Sequence, residues 1–238
     1  MPEVSIAFPS PRDAGRAIVA ALLPQDCFLC GARTGAGALC APCALALPRL
    51  PAARCPVCAL PTSDARLCGR CLARPPHFDA TRAAYAYAFP VDCLIQALKY
   101  RARLALAPFL AQALEGLLPD GASRLMPLPL HPRRLKERGF NQALEIARPL
   151  ASRGCIRLDT GSVERELDTA PQASLSWDER GRNVRGAFLC HADLAGEHVV
   201  VLDDVMTTGA TLDEFARALK KRGAARVTNL VVARTLPE

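Results

Sequence analysis

Residues 199–211, which read VVVLDDVMTTGAT, constrain the fold of this chain more than any other stretch. Three valines and a leucine in a row have the length and the β-branched content of a buried strand. Asp203 and Asp204 stand where this strand should end, and a small, hydroxyl-rich loop follows them. Apolar side chains then recur at helical spacing, at Leu212, Phe215, Ala216 and Leu219. The order of strand, acidic pair, loop and helix predicts an open α/β sheet with a ligand site at the carboxyl ends of its strands.

The loop at residues 207–211 has the composition of an anion site. Backbone N–H groups that run into a helix attract phosphate, and threonine hydroxyls add further donors. Gly209 allows the backbone to approach a ligand closely. Asp203 and Asp204 suit the hydroxyls of a sugar, or a Mg²⁺ ion at one remove. Because the chain has neither a Walker A loop nor a GxGxxG motif here, the stretch predicts a site for a phosphorylated sugar.

Composition limits the class of protein without choosing its ligand. Half of the 238 residues are hydrophobic and 22% are charged, as in globular proteins. The net charge of +7 permits anionic partners, either nucleic acid or a polyphosphate substrate. Two apolar stretches, residues 17–23 and 91–118, are too short or too interrupted by basic residues for an export signal or a membrane span. We therefore expect a cytoplasmic protein without membrane insertion.

Eight of the eleven cysteines form four CxxC pairs in the amino-terminal third. Nine residues separate the first two pairs, and nine separate the last two. Each CxxC places two thiolates on one turn, and two such knuckles complete a tetrahedral shell for structural Zn²⁺. The repeat predicts two zinc sites in series, Cys27/Cys30/Cys40/Cys43 and Cys55/Cys58/Cys68/Cys71.

Other uses of these cysteines are less well supported. A cross-braced pairing and an iron–sulfur cluster both remain alternatives, since each also takes four cysteines. Disulfides are disfavoured without an export signal, and redox CxxC motifs would follow the strand of a βαβ unit. A proline-rich joint at residues 73–76 closes the module. We expect one domain at residues 1–75, with a short N-terminal helix, and a second at residues 76–238.

A basic segment, residues 131–142 (HPRRLKERGFNQ), follows an apolar run at residues 125–130. Arginine grips phosphate oxygens bidentately, so this segment suits a polyanion. A solvated face or a nucleic-acid patch is the alternative. Its basic side chains are Arg133, Arg134, Lys136 and Arg138. Patterning further predicts strands at residues 82–89, 155–163 and 226–234, and helices at 91–100, 104–118 and from about residue 141.

The sequence VVVLDDVMTTGAT resembles the phosphoribosyl pyrophosphate (PRPP) signature of type I phosphoribosyltransferases. With the cysteine pairs and the basic segment, the whole chain resembles the ComF (ComFC/GntX-like) family. The resemblance implies an α/β, type I phosphoribosyltransferase-like fold, with a largely parallel sheet flanked by helices and preceded by a double zinc-ribbon module. It also implies that PRPP with Mg²⁺, or a related phosphoribosyl compound, is the ligand.

The resemblance assigns roles to particular residues. Asp203 and Asp204 would hold the ribose hydroxyls, and the basic segment would receive pyrophosphate together with Lys99, which lies in a matching Leu-Lys-Tyr stretch. Three residues of a polar segment that matches a ComF pattern would belong to a lid over the ligand: Arg165, Thr169 and Gln172. The loop residues that would hold the 5′-phosphate are Thr207, Thr208, Gly209, Ala210 and Thr211.

Two classes of function follow from the resemblance. The first is a phosphoribosyltransferase with an unknown acceptor, linked to DNA uptake (competence) or to the handling of imported DNA. Thr207 stands where purine-salvage transferases carry an aspartate base, which disfavours a purine acceptor. The second is a non-catalytic nucleic-acid-binding or nucleotide-sensing component of DNA-uptake machinery, with single-stranded DNA or uptake proteins as partners. An aromatic content of 5% disfavours a dedicated groove for single strands.

Overall fold

The computed structural model of the chain describes residues 25–35, 37–167 and 184–237. The chain separates into two compact units, Met1–Leu47 and Pro48–Glu238. The domain limits expected from the sequence, 1–75 and 76–238, stay a prediction. The expected N-terminal helix and two of the expected lid residues, Thr169 and Gln172, lie outside the described residues.

The first unit consists of short elements around its four cysteines. Strands β1 (Gln25–Asp26) and β2 (Arg33–Gly35) pair antiparallel. A short helix, α1 (Ala41–Leu45), follows. The described elements of this unit are too short to enclose a hydrophobic core by themselves, so we expect a bound metal to contribute to the stability of this part of the chain.

The second unit carries a short helix, α2 (Gly69–Ala73), and then the elements of an α/β domain. Its strands are β3 (Ala80–Ala86), β4 (Arg124–Pro127), β5 (Arg157–Leu158), β6 (Val163–Arg165), β7 (Phe188–Cys190), β8 (His198–Met206) and β9 (Arg226–Arg234). Its longer helices are α3 (Val91–Arg101), α4 (Ala107–Glu115), α5 (Pro132–Arg138), α6 (Gln142–Gly154) and α7 (Ala210–Lys221), with a 3₁₀ turn at Leu104–Leu106.

Five of these strands form one parallel sheet in the order β3-β9-β8-β4-β5. The predicted α/β class and the predicted strands β8 and β9 are confirmed. Strand β8 lies in the middle, paired with β4 on one side and β9 on the other. The carboxyl ends of β4, β8 and β9 therefore meet at one edge of the sheet, where open α/β folds bind ligands.

The sequence of β8 explains its central place. Residues Val199 to Leu202 are fully buried, because helices cover both faces of the sheet. Val199 and Val201 join the layer that contains Phe215 and Leu219 of α7. On α7 the predicted apolar stripe is confirmed, with Leu212, Phe215, Ala216 and Leu219 all buried.

The predicted strand at residues 155–163 is wrong. The chain instead forms the two-residue β5, turns, and enters β6, which pairs antiparallel with β7 outside the main sheet. The cause is Asp159, whose Oδ1 accepts hydrogen bonds from the N–H groups of Gly161 and Ser162, at 3.2 and 3.1 Å. A side chain that bonds its own downstream backbone favours a turn over a continued ladder.

A buried arginine at the start of β4 links two neighbouring segments of the sheet. Arg124, at the start of β4, donates from Nη1 to Asp159 at 2.7 Å and from Nε to Glu197 at 2.8 Å. A second donor, Nη2, also bonds Glu197. The network ties the turn after β5 to the segment before β8, and it leaves neither carboxylate uncompensated.

Among the described residues, no helix has both the length and the apolar character needed to cross a bilayer.

Replacement of Arg124 should destabilise the domain strongly. In Arg124→Ala the buried Asp159 and its neighbour Glu197 lose their common cation, which costs about 3–5 kcal/mol of unfolding free energy. Arg148→Ala is the control, because Arg148 is 62% exposed and its contact with Glu145 is 3.8 Å long; its cost should stay within about 0.5 kcal/mol. Urea unfolding measures both values, and equal costs would contradict the structural role of Arg124.

Candidate functional site

The acidic pair lies at the end of β8, with one carboxylate on each side of the sheet. Adjacent residues of a strand point to opposite faces, so Asp203 continues the α7 side and Asp204 the other side. On that other side, Lys99 from the last turn of α3 places its Nζ 2.9 Å from Asp204 Oδ2. Lys99 therefore forms an ion pair with Asp204, one of the two carboxylates expected to hold ribose hydroxyls.

Burial and like charge make Asp203 hard to ionise. Desolvation by burial is the largest cause of a raised pKa at Asp203, and the neighbouring carboxylate of Asp204 raises it further. Lys99 offsets only part of this effect, so the pKa of Asp203 rises to about 7. Burial opposes the charge of Lys99 as well, but the carboxylates of Asp204 and Asp203 outweigh it and raise the pKa of that lysine. The site thus carries one firm ion pair and one carboxylate that titrates near neutral pH.

The loop after β8 runs into α7 through Gly209. This glycine has φ +86°, which L side chains rarely adopt, and a Cβ at its position would lie 2.5 Å from Cε of Met206. The N–H of Asp213 bonds the carbonyl of Gly209 at 2.8 Å and closes the first turn. The Thr208 hydroxyl accepts a bond from the Ala210 N–H at 3.3 Å. The loop therefore presents the first amides of a twelve-residue helix beside the acidic pair.

The basic segment forms a helix, α5. His131 caps this helix and accepts a bond from the Arg133 N–H at 3.3 Å. Helical spacing turns Arg134 and Arg138 toward the carboxyl end of β8, whereas Arg133 and Lys136 do not line the cavity there. Arg138 also stacks on Tyr100, 5.4 Å from the ring centre.

A second long helix begins at the same edge. Asn141 caps α6 by accepting bonds from the N–H groups of Ala143 and Leu144, and its own Nδ2 donates to the Leu128 carbonyl at 3.0 Å. The next residue, Gln142, is 2% exposed, and its Nε2 has no hydrogen-bond partner among the described residues. Because a buried amide without a partner is costly, this donor at a cavity wall indicates a place for a polar ligand.

These groups line one cavity of about 300 Å³. Of the residues that the sequence singled out, it contains Lys99, Arg134, Arg138, Arg165, Asp203, Asp204, Thr207, Gly209, Ala210 and Thr211. Thr208 instead lines a neighbouring cavity on the other side of the loop. Sequence reasoning missed Tyr87, Asn141 and Gln142 as lining residues. Asn141 and Gln142 belong to the segment 131–142. Only the helix cap made by Asn141 and the burial of Gln142 identify them as candidate site residues. The two carboxylates of the cavity are the oxygen ligands that Mg²⁺ prefers.

The eight cysteines form two separate clusters, as the sequential pairing predicted. Cys27, Cys30, Cys40 and Cys43 form one, Cys55, Cys58, Cys68 and Cys71 the other, and in each the sulfur atoms lie within 4.8 Å of one another. All eight are free thiols. The Sγ atoms of Cys30 and Cys40 are 3.6 Å apart, and those of Cys58 and Cys68 are 3.5 Å apart. Bonds of about 2.3 Å to a tetrahedral Zn²⁺ separate two sulfurs by about 3.8 Å, so the clusters fit structural zinc.

The two clusters repeat one backbone design. In each, the N–H of the first cysteine bonds a carbonyl five residues on, at 2.7 Å from Cys27 to Ala32 and from Cys55 to Leu60. In each, the third cysteine precedes a five-residue helix, and Cys40 and Cys68 have nearly identical φ and ψ. The predicted cysteine repeat is therefore also a structural repeat.

The raised pKa of Asp203 makes a prediction about stability. A carboxyl group with a raised pKa in the folded state destabilises the fold as pH rises from its ordinary value of about 4 through 7. Asp203→Asn should therefore raise the melting temperature more at pH 8 than at pH 5, by the equivalent of about 1–3 kcal/mol. Asp204→Asn is the matched control and should lower it, because Lys99 loses its partner. Equal effects of Asp203→Asn at both pH values would contradict the raised pKa.

Known families match both parts of the chain. The model of the double zinc ribbon domain matches residues 18–72, and that of the phosphoribosyl transferase domain matches residues 136–236. Among solved structures, a purine phosphoribosyltransferase from Pyrococcus horikoshii Ot3 is 20% identical and covers 56% of this chain and 87% of that one, at a TM-score of 0.33. A TM-score this low carries no argument, and the fold class follows from the parallel sheet and the domain match.

Curated relatives extend over nearly the whole chain. DNA utilization protein YhgH of Escherichia coli O6:H1 is 37% identical over 228 residues, covering 90% of this chain and 99% of that protein. Competence protein F of Haemophilus influenzae is 29% identical and covers 68% of this chain and 76% of its own. Competence protein ComFC of Bacillus subtilis is 27% identical, with 83% and 84% covered. The chain therefore belongs to the ComF family, in which a double zinc ribbon precedes a phosphoribosyltransferase domain.

Proposed function

We propose that the cavity at the end of β8 binds PRPP with Mg²⁺ and that the protein is a phosphoribosyltransferase linked to the use of DNA. The proposal rests on one observation. A single cavity of about 300 Å³ is lined by an acidic pair, by a threonine-containing loop that leads into a helix, and by two arginines. The names of its relatives, DNA utilization protein and competence protein, support the biological setting.

The loop would hold the 5′-phosphate. The amides at the start of α7 and the hydroxyls of Thr207 and Thr211 supply donors, and the positive φ of Gly209 brings the backbone close to the ligand. Asp203 and Asp204 cannot face this phosphate favourably, but their oxygens accept bonds from ribose hydroxyls. The cavity therefore separates a phosphate-binding side from a sugar-binding side.

The opposite wall would take the pyrophosphate. Arg134 and Arg138 carry charge that complements the leaving group, and Gln142 Nε2 supplies a buried donor without a partner in the part of the chain that the structure describes. When the bond from C1 of ribose to pyrophosphate loosens, positive charge grows on the sugar and negative charge on the leaving group. Carboxylates on one side and cations on the other stabilise both, which is electrostatic catalysis.

Lys99 and Mg²⁺ would share the charge balance of the acidic pair. Asp203 and Asp204 would hold the ion at one remove, and Mg²⁺ supplies charge neutralisation of the phosphate oxygens when bound. The Lys99 ammonium, 2.9 Å from Asp204, holds this carboxylate in place. Lys99 also lines the cavity with Arg134 and Arg138, which fits the pyrophosphate-side role that the family resemblance implies for it.

The acceptor and the location are proposed only as classes. Thr207 lines the cavity but has no proton-accepting group at neutral pH, so the acceptor is one that needs no base at this position. The sole expected lid residue in the described part, Arg165, lines the same cavity.

The eight cysteines of the two clusters form no disulfides and must stay reduced to bind metal, which supports a cytoplasmic location.

Titration with PRPP and Mg²⁺ tests the ligand. Calorimetry should give saturable binding to the purified protein, and Asp203→Ala and Asp204→Ala should each weaken it at least about tenfold, the usual effect of losing a charged hydrogen bond. Asp120→Asn is the control, because Asp120 is exposed and does not line the cavity. Pyrophosphate release with pooled bases and amines then tests for transfer.

Two results would contradict the ligand assignment. One is that PRPP does not bind to a folded, zinc-loaded protein, and the other is that Asp203→Ala, Asp204→Ala and Asp120→Asn all bind it equally. Binding without any pyrophosphate release would instead favour a sensing role for the same site over catalysis.

A second candidate function is the binding of single-stranded DNA near the cavity mouth. Tyr100 is 71% exposed and has Arg138 stacked on its ring. Arg133 and Lys136 are exposed on α5 and lie outside the cavity lining, where Arg133 also contacts Glu137 at 3.3 Å. An exposed aromatic ring among basic side chains is the usual arrangement for stacking and backbone contacts with single strands.

Anisotropy of a labelled oligothymidylate tests this second function. Tyr100→Ala should weaken binding about tenfold, as loss of one base-stacking ring does. Phe89→Ala is the matched control, because Phe89 is also strongly exposed but precedes α3, whereas Tyr100 lies near its end. Affinity should also fall with rising salt. Equal effects of the two substitutions, or no binding at low salt, would contradict a DNA surface at this place.

A further inference from the structure

Arg234, the last residue of β9, is buried inside the second unit, and within the described part of the chain its side chain bonds only backbone carbonyls. It is 1% exposed. Its Nε donates to the carbonyl of Cys58 at 2.9 Å, and its Nη1 donates to the carbonyl of Met206 at 2.9 Å. Nη1 also bonds the carbonyl of Thr207. One guanidinium group therefore joins a cysteine of the second cluster to the first residues of the threonine loop.

A second arginine makes a similar link one residue further along the loop. Arg70 lies in α2, between Cys68 and Cys71, and its Nη2 donates to the Thr208 carbonyl at 2.9 Å. Just beyond α2, the backbone N–H of His77 donates to Oδ1 of Asp213, in the first turn of α7, at 2.6 Å. Contacts thus run from the second cysteine cluster to both the loop and the helix that follows it.

Apolar packing also connects the second cysteine cluster with the loop. Cys55, Cys58 and Cys71 belong to the buried layer that also contains Phe78, Met206 and Leu212. Phe78 lies close enough to Gly209 that a Cβ there would be 3.8 Å from its ring. The second cysteine cluster is therefore part of the core that supports the loop.

These bonds determine which way the peptide groups of the loop point. In a planar trans peptide the N–H points opposite to the C=O. The carbonyls of Met206, Thr207 and Thr208 all accept bonds from arginines on the cysteine side, and that of Met206 also accepts a bond from the Thr235 N–H at 3.0 Å. The N–H groups that follow them, those of Thr207, Thr208 and Gly209, consequently point away from the arginines. Amides turned in one direction in this way are what an anion-binding loop requires.

We propose that Arg234, together with Arg70, is a positioning residue through which the second cysteine cluster fixes the phosphate-binding geometry of the loop. A Zn²⁺ ion with four thiolates has a formal charge of about −2, which suits a guanidinium group on its backbone. Loss of the metal from this cluster would release the Cys58 carbonyl and α2, and with them the orientation of the loop amides. The effect on ligand affinity rests on the proposed PRPP function; the effect on the loop does not.

The first cysteine cluster provides the matched control. Cys40 and Cys68 occupy equivalent places in the repeat, with φ −73° in both and ψ 158° and 157°. Cys40 belongs to the other compact unit, and the bonds to the loop described above involve none of the cysteines of its cluster. Cys40→Ser and Cys68→Ser should each remove one Zn²⁺, but only Cys68→Ser should disturb the loop.

Hydrogen exchange measured by mass spectrometry, with zinc counted on the same samples, tests the proposal without any ligand. In Cys68→Ser the amides of residues 206–211 should exchange at least about tenfold faster than in wild type, as expected when bonds to charged groups are lost. The amides of β4 serve as the internal reference and should not change. Cys40→Ser should leave both segments as in wild type.

Two arginine variants separate the link from the metal. Arg234→Lys keeps the charge but cannot bond three carbonyls in a fixed fork, and Arg70→Ala removes the second link alone. Both should retain two Zn²⁺ and accelerate exchange at residues 206–211. Where PRPP binds the wild type, both should weaken it about tenfold or more, and Cys40→Ser should not.

The proposal is overturned if residues 206–211 exchange equally fast in Cys40→Ser and Cys68→Ser. It is also overturned if exchange in Cys68→Ser and Arg70→Ala rises equally across β4 and the loop, which would indicate general unfolding. Failure of the wild type to bind PRPP would contradict the proposed ligand alone, since the exchange experiment contains none.

Discussion

Two carboxylates in succession at the end of a buried strand are the costly feature around which this domain is arranged. Asp203 and Asp204 lie on opposite sides of the sheet, so a single partner cannot neutralise both. Lys99 reaches one of them at 2.9 Å, while the other retains a raised pKa of about 7. Cations and helix amino termini gather at the same edge because the strands are parallel and their carboxyl ends meet there. Perturbed carboxylates of this kind are typical of functional sites.

The loop beside this pair has two sides with different tasks. Its carbonyls face arginines that touch the second cysteine cluster, and its amides are thereby turned the other way. The two clusters share one backbone repeat, yet they belong to different compact units. Their local geometry differs little: Ala59 takes a positive φ of 58° where Gly31 has 73°. The same cysteine-cluster design therefore occurs in two structural settings, one of which is part of the core beneath the loop that follows β8.

Local patterns in the sequence determined much of this arrangement. The β-branched run, the acidic pair and the apolar period of residues 212–219 predicted β8, its loop and α7, because each depends on neighbouring residues alone. The spacing of the CxxC pairs predicted two clusters for the same reason, since each knuckle is a single turn. Where local signals competed, prediction failed: the Asp159 side chain bonds its own backbone and ends the strand expected at residues 155–163.

Tertiary structure alone decided which polar groups meet. The sequence supplied four basic residues at 133–138, but a helix turns only Arg134 and Arg138 into the cavity. Gln142 is a candidate site residue because its amide is buried without a partner among residues 25–35, 37–167 and 184–237, which no spacing in the sequence reveals. Arg234 reads in the sequence as the end of a strand, yet it joins segments 176 and 28 residues away. Contacts over such separations depend on how sheet and helices pack, and no local period encodes them. The sequence by itself determined most of the elements and predicted a ligand site at the end of β8, and packing decided which residues meet there.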